Sequence, residues 1–564
     1  MAETIEVCWR LWVPMRDGAR LAARLYRAKG AGPAPVILTM TPYAADRYHD
    51  EALFFARAGY AFVIVDCRGR GDSEGCFAPS FIDFEDGHDT VEWLAQQDFC
   101  DGQVAMWGGS YAGENQWNTL VTRPPHLRTI VPAAATHTPA DYPWRGPVRS
   151  RYALQWLLSV SGRESTPARL SNDDALWLAA FRDHHVSGAA FRDLPRFLGG
   201  GSPHFDEYLE HPAHHPYWQR LAFSPSDFAG IDLPILTIAG HYDEAQRGSL
   251  HYVREHERHG VPSAVARHFV VIGPWDHDGT RSGARGCGGV DFGPAAEVDL
   301  RGLTLAWYDW TLRGGPRPAM LSHRILAYDT GEECWNGHDR LERPDASCLP
   351  LFLQAARGRA SARAPGGLTG TMPEVENHGS WFSDPADCRL AEVETHPWAD
   401  WLTEPLQDRQ EDGAGLIWET DPLSRDFGLF GSPQVSLWVE TVLPDADLQA
   451  TLSHISADGS YVKLSDDLLR LRYREGTRKE LAYTPGVPMR AVFDGFAFVA
   501  RRIRAGGRLR LSVRTVNSIH LQRNFQAGGD VDAESRADAR AGWIRIWQGG
   551  RFDSHIRIPG AGGP

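Results

Sequence analysis

The chain has 564 residues, 42% of them hydrophobic and 11% aromatic, enough to fill several buried cores. With 58 basic against 72 acidic residues the formal net charge is −14, which excludes the basic footprint of a broad nucleic-acid binder. No stretch approaches the roughly 18 uninterrupted apolar residues of a membrane span, and the opening MAETIEVCWRLWVPMRDGARL carries no apolar segment of the signal-peptide kind.

In chain order, PVILTM (35–40), YAFVIVD (60–66), QVAMWG (103–108) and LRTIVPAA (127–134) read as buried strands. FEDGHDTVEWLAQQ (84–97) reads as a helix between them, with Val91, Leu94 and Ala95 on one face. Strands rich in Val and Ile alternating with helices predict a mostly parallel sheet covered on both sides. From about 138 the pattern turns helical and short, without a strand signal: SRYALQWLLSVSG, DDALWLAAFRDHHVSG and FRDLPRFLGGG. LPILTIAGHYD (233–243) and ARHFVVIGPWDH (266–277) return as buried strands, and LRGLTLAWYDWTLRG (300–314) as an amphipathic helix with a Gly stop. Beyond about 345, QVSLWVETV, LQATLSHISA, GRLRLSVRTV and WIRIWQGG alternate at period two between turns, which predicts an antiparallel β-sandwich. The Ala/Gly/Arg/Pro-rich stretch 355–375 reads as an exposed hairpin or loop. The expected units are an α/β core in two parts (1–137 and 232–345), a helical cap (138–231) and the β-sandwich (346–564).

Eight cysteines, at 8, 67, 76, 100, 287, 334, 348 and 388, form no C-x-x-C pair. They suit buried thiols in a reducing cytoplasm, with one Cys67–Cys76 bridge the open alternative. The histidines of EHPAHHPYW (210–218) lack helical i, i+4 spacing and read as a solvated loop, so no metal is expected. DCRGRGDSEG resembles a phosphate cradle but lacks its G-K-[ST] element and reads as a strand-to-loop turn.

The stretch VAMWGGSYAGENQW (104–117) raises the chemical question. A serine on a glycine-framed turn between strand and helix suits a nucleophile elbow, although the usual G-x-S-x-G has Ala112 in its last place and Gly113 one later. A serine hydroxyl needs a base, and the base an orienting acid. Asp243 and His277 each follow a buried strand, in the Ser, Asp, His order of α/β-hydrolases. The backbone N–H of Tyr111 is the expected first oxyanion donor. Tyr43, in the loop after PVILTMTPY, is either a phenolic second donor or a tyrosine packed beside the sheet.

These residues, with VPMRDGARLAARLY, TPYAADRY, VDCRGRGDSEGCF, AGHYDE, VIGPWDH and WYDWTLRG, resemble the CocE/NonD-type serine hydrolases. That group holds cocaine esterase, α-amino acid ester hydrolases, glutaryl cephalosporin acylases and Xaa-Pro dipeptidyl-peptidases. DPLSRDFGLFGSPQVSLWV, SDDLLRLRYREG and GGRLRLSV extend the resemblance over nearly the whole chain. It implies an α/β-hydrolase core, a helical cap and a jelly-roll domain. It further implies Ser110 as nucleophile, Asp243 and His277 as its partners, and Tyr43 and Tyr111 as the oxyanion hole. The α-amino acid ester hydrolases are read as holding a substrate ammonium with carboxylates two and three places after the triad acid. Ala245 and Gln246 stand there, leaving Glu244 or Asp141 to supply a single carboxylate. Glu244, Ala245 and Trp144 are the expected substrate contacts; with Trp144, the cap aromatics Trp156, Trp177, Phe181 and Trp218 suggest a partly apolar acyl or alcohol pocket, while most of them are expected to be core residues. No cofactor is expected. The reading is a cytoplasmic esterase or amidase of small molecules, with self-association left open. A peptidase removing N-terminal dipeptides and a binding protein with a vestigial hydrolase are the alternatives.

Overall fold

The computed structural model of the protein describes residues 4–138, 140–163, 173–213, 215–342, 347–355, 364–389, 391, 394, 402–403, 415–476 and 479–561. Ten strands form the first sheet: β1 (Ile5–Pro14), β2 (Arg20–Ala28), β3 (Ala34–Thr41), β4 (Ala61–Asp66), β5 (Cys100–Gly109), β6 (Leu127–Ala133), β7 (Ile235–Gly240), β8 (His268–Gly273), β9 (Ile325–Asp329) and β10 (Cys334–His338). They lie in the order β1-β2-β4-β3-β5-β6-β7-β8-β9-β10. From β4 to β9 every neighbouring pair is parallel. These central strands are continuous apolar runs because helices cover both of their faces. The hairpin β1–β2 and the strand β10 add antiparallel edges that the apolar-run criterion did not single out. β1 and β10, the outermost strands, are largely half-buried or exposed, as edge strands are.

Two helices, α1 (His49–Arg57) and α2 (Asp83–Ala95), follow β3 and β4, and α3 (Tyr111–Val121) follows β5. Val91, Leu94, Trp117 and Leu120 fill the core on one face of the sheet, and Phe55 fills the core on the other. The middle segment holds α4 (Tyr152–Ser159), α5 (Asp174–Ser187) and α6 (Pro203–Glu210). Its aromatics Trp144, Trp156, Trp177, Phe181 and Trp218 join the α2–α3 core, so this segment packs on that face. The segment is not free of strands: Trp144–Arg145 pairs with Val148–Arg149 as a two-residue hairpin. So short a pair leaves no periodicity to read. Nor do the described residues of 210–218 form a solvated loop. His215 caps a helical turn at Pro216–Gln219, His211 stacks on Tyr217 at 4.0 Å, and Trp218 is buried.

Two longer helices complete the core, α7 (Gln246–His259) and α8 (Leu300–Arg313). Trp117 of α3 stacks on Tyr252 of α7 at 4.5 Å, while Trp307, Tyr308 and Leu312 of α8 fill the opposite face. From Ser347 the chain builds a second, thirteen-stranded network with its own core, antiparallel apart from the pairing of Gly366–Gly367 with Trp418–Glu419. Residues 356–363 of the Ala/Gly/Arg/Pro-rich stretch lie outside the described residues; Gly366–Thr369 is a strand. The cysteines are unpaired thiols, Cys67 and Cys76 included. Only Cys67 and Cys100 are buried, whereas Cys76 and Cys348 are exposed, so burial is not the general state that was expected of them. Among the described residues no helix is long and apolar enough to cross a membrane.

The seat of α3 against β6 is tight. A Cβ on Gly113 would lie 2.9 Å from the Ala133 carbonyl oxygen and 3.0 Å from Ala135 Cα. Gly113→Val should therefore destabilise the protein by about 1–3 kcal/mol, seen as a lower thermal midpoint, and activity should fall with it. An unchanged midpoint would mean that this contact can relax.

Candidate active site

Because β3, β5, β7 and β8 run parallel, their carboxyl ends open on one edge of the sheet. Tyr43, Ser110, Asp243 and His277 follow these four ends in turn. At the end of β5 the backbone of Ser110 has φ 61° and ψ −124°, a strained conformation for a residue with a side chain. Gly108 before it makes the approach feasible, since a Cβ there would meet Ala112 Cβ at 2.6 Å. Ser110 N–H donates to Ala133 O (2.9 Å), and Ser110 O accepts from Gly113 and Glu114 N–H (2.8 and 3.0 Å). The hydroxyl is held half-buried at the head of α3. Tyr111 is the first residue of that helix, where a backbone N–H has no intrahelical acceptor.

Two hydrogen bonds tie the four residues into pairs. The Tyr43 phenol donates to Ser110 Oγ at 3.5 Å, a long contact of the kind that substrate tightens. His277 Nδ1 donates to Asp243 Oδ1 at 2.8 Å. Asp243 is fully buried, and Ala245 N–H holds the same Oδ1 at 2.9 Å. Burial alone would lower the His277 pKa, but the Asp243 charge and hydrogen bond outweigh it and raise it above the ordinary histidine value. Arg281, one turn beyond His277, reaches across to the serine turn: a Cβ on Gly109 would lie 2.8 Å from Arg281 Cδ.

The remaining predicted residues have different surroundings. Glu244 is exposed beside Asp243, whereas the Ala245 side chain is buried and its backbone serves the acid. Trp144 is buried edge-on against Trp218 at 4.8 Å. Trp144 and Glu244 share a cavity of about 50 Å³ with Asp243, Asp141, Arg145 and Lys463. Both oxygens of Asp141 accept backbone N–H groups, from His137 (2.9 Å) and Gly248 (2.6 Å), and burial raises its pKa to about 8. Asp141 thus links the start of the middle segment to the first turn of α7. Among the described residues no group of His, Cys, Asp and Glu is arranged to hold a metal ion.

Two supports were not visible as such in the sequence. Arg70, from the stretch that resembles a phosphate cradle, is buried and donates through Nε to Pro42 O at 2.8 Å, bracing the Tyr43 loop. Trp156 of α4 donates its indole N–H to the Tyr43 phenol oxygen at 3.0 Å. Its aromatic character marked the cap, but nothing local in the sequence names its partner.

Comparison with known proteins agrees with this architecture. Residues 17–279 match the family model of the X-Pro dipeptidyl-peptidase (S15 family), and residues 322–556 match that of the X-Pro dipeptidyl-peptidase C-terminal non-catalytic domain. The chain is 29% identical to the cocaine esterase of Rhodococcus sp. (strain MB1 Bresler), over 98% of each chain. Among solved structures, an α-amino acid ester hydrolase superposes with a TM-score of 0.85 at 22% identity, covering 99% of this chain and 97% of that one. An aminopeptidase from a marine sediment archaeon, Thaumarchaeota archaeon, does so with a TM-score of 0.80 at 22% identity, covering 99% and 96%.

A raised His277 pKa sets the expected pH response. If His277 serves as a base it must be neutral to accept a proton, and kcat/KM should then rise with pH through a midpoint above the ordinary 6.5. Asp243→Asn removes the charge that raises it while leaving the burial that lowers it, so the midpoint of the residual activity should move down. Rate should fall by about ten-thousand-fold. A pH–rate series on both proteins checks this, and an unmoved midpoint would detach Asp243 from the base.

Proposed function

We propose that this chain, a serine hydrolase of the CocE/NonD type acting on ester or amide bonds, works through an acyl-enzyme formed on Ser110. The carrying observation is the Ser110 hydroxyl on a strained turn at the head of α3, with the Tyr43 phenol 3.5 Å from it. His277 takes the Ser110 proton at Nε2 as Oγ attacks the substrate carbonyl. Asp243 fixes Nδ1 as the protonated nitrogen and stabilises the imidazolium that forms. The negative charge developing on the carbonyl oxygen is met by Tyr111 N–H and the Tyr43 hydroxyl. His277 then protonates the leaving alcohol or amine, and water attacks the acyl-enzyme by the same route in reverse.

The helices of the middle segment act as a cap over Ser110, and the β-rich domain, read as a jelly roll, closes the site from the other side. The favoured substrates are small acyl compounds whose acyl group is uncharged and at least partly apolar. The ring of Trp156, edge-on to Tyr142 at 5.2 Å, supports an aromatic wall for that group. A substrate ammonium would need a carboxylate to receive it. The Asp141 oxygens accept backbone donors, and the cavity beside Glu244 also carries Arg145, Arg247 and Lys463. That balance disfavours the dipeptidyl-peptidase alternative.

Ser110→Ala should lower turnover by about four to six orders of magnitude and abolish labelling by a serine-directed phosphonate while the fold persists. Labelling that survives the substitution would dismiss Ser110, and absence of both labelling and turnover in the unaltered protein would favour a binding role. A panel of p-nitrophenyl acyl esters, aminoacyl esters, β-lactam amides and Xaa-Pro anilides should rank the first group highest; preference for Xaa-Pro anilides would restore the peptidase reading.

Tyr43→Phe removes one hydroxyl and little volume. The acylation rate should drop about a hundred- to a thousand-fold with substrate binding changed much less, because the donor meets a charge that exists only in the transition state. Stopped-flow acylation together with a thermal melt separates this from a packing tyrosine, which would affect stability and not rate.

A further inference from the structure

We infer that Trp156, contributed by the middle segment, is a positioning residue of the oxyanion hole, whose indole N–H sets the direction of the Tyr43 phenol proton. The inference rests on the reading of Tyr43 as an oxyanion donor.

A phenol has one proton to give and lone pairs that accept, and can turn its O–H to suit whatever surrounds it. Indole N–H can only donate. Trp156 Nε1 lies 3.0 Å from the Tyr43 oxygen, so in that contact the oxygen is the acceptor. The phenol proton must then point elsewhere, and Ser110 Oγ lies 3.5 Å away as its acceptor. The oxyanion is the oxygen borne by the carbon that becomes bonded to Oγ, so a proton aimed at Oγ in the resting protein is aimed near the developing charge. Donation from the indole also polarises the phenol O–H, which strengthens the bond it gives.

The indole is itself held in place. Its ring stacks on Tyr111 (5.7 Å, 22° between planes) and meets Tyr142 edge-on (5.2 Å). Tyr111 is anchored at its far end, where its hydroxyl accepts Ser80 N–H at 2.8 Å. Trp156 O accepts the Val160 N–H and the Ser159 hydroxyl, closing the last turn of α4. Trp156 therefore touches both proposed halves of the hole: it rests on the side chain of Tyr111, whose backbone is one donor, and bonds to the phenol that is the other. The middle segment in this view completes the catalytic dipole as well as covering the substrate.

The test replaces Trp156 with β-(3-benzothienyl)alanine, which keeps ring size and stacking but lacks the N–H, and separately makes Trp156→Phe. Acylation in the benzothienyl protein should slow about three- to ten-fold, the weight of one neutral hydrogen bond, with KM and the thermal midpoint unchanged. In a Tyr43→Phe background the same replacement should cost nothing more, because its effect passes through the phenol hydroxyl. Trp156→Phe should show the same dependence on Tyr43, with any loss of packing visible in the melt. An equal loss in both backgrounds, or a raised KM with kcat intact, would make Trp156 a pocket wall and overturn the inference. A normal acylation rate in Tyr43→Phe alone would remove the underlying reading of the hole, and that failure is seen without altering Trp156.

Discussion

The backbone of Ser110 is the constraint on which the surrounding structure depends. A residue with a side chain held at φ 61° and ψ −124° costs about 1–3 kcal/mol, and persists only where its neighbours leave no alternative. Here α3 supplies them. Asn115, Gln116, Trp117, Asn118 and Thr119 are all buried, an unusual content for a helix interior. Each polar member answers a nearby backbone group. Asn115 donates to Met40 O at 2.8 Å, next to the Tyr43 loop. Gln116 donates to Gly108 O (3.1 Å) and accepts from Val131 N–H (3.0 Å), joining β5 to β6 just below the turn. The helix that follows the serine thus pins the strand end that precedes it. Relaxing the turn would strand several buried polar groups, each costing about 1–3 kcal/mol.

The electrostatics around the turn sort the acidic residues into two kinds. Burial raises the pKa of Asp66 to about 6 and of Asp83 to about 8, and raises that of Glu114. Such carboxyls hold protons or share hydrogen bonds, as Glu114 does with the Thr136 hydroxyl at 2.6 Å, and serve packing. Asp243 differs in having a basic partner within hydrogen-bond reach. The consequence falls on His277, whose pKa moves upward, while His137, His241 and His268 are all held down by burial. A carboxylate that raises an imidazole is the arrangement that the general base proposed above would require.

Much of this was legible in the sequence because parallel strands buried on both faces leave continuous apolar runs, and because chain order places Ser110, Asp243 and His277 just beyond three of them. The edge strands β1 and β10 were not legible, since half-exposed residues dilute the same signal, and neither were their neighbours β2 and β9, although both are largely buried. Trp144–Arg145 with Val148–Arg149 is too short to carry any. At the site, the glycines around Ser110 announce a tight turn, yet the buried polar face of α3 looks like an ordinary amphipathic helix until its partners in β3, β5 and β6 are known. Arg70 and Trp156 act on the Tyr43 loop from 28 and 113 positions away. Contacts at such separations are fixed by how the segments pack, and one sequence does not record them.

The loop carrying Asp243, the proposed acid, is where the parts of the chain meet. Gln246, three places after Asp243, donates to His241 O at 3.3 Å and to Phe498 O at 3.0 Å, and accepts Phe498 N–H at 2.7 Å. One buried amide therefore closes the acid turn upon itself and clamps it to the β-rich domain. Asp141 performs the matching task from the middle segment by accepting Gly248 N–H, one turn into the same helix. The turn that carries Asp243 is thus held by two segments that carry neither it nor His277. The Tyr43 loop has the same character: Arg70 braces it from the core and Trp156 reaches it from α4. If the middle segment is the cap proposed above, a site assembled across three segments in this way ties substrate access to catalytic geometry, because α4 carries the indole that donates to the Tyr43 phenol.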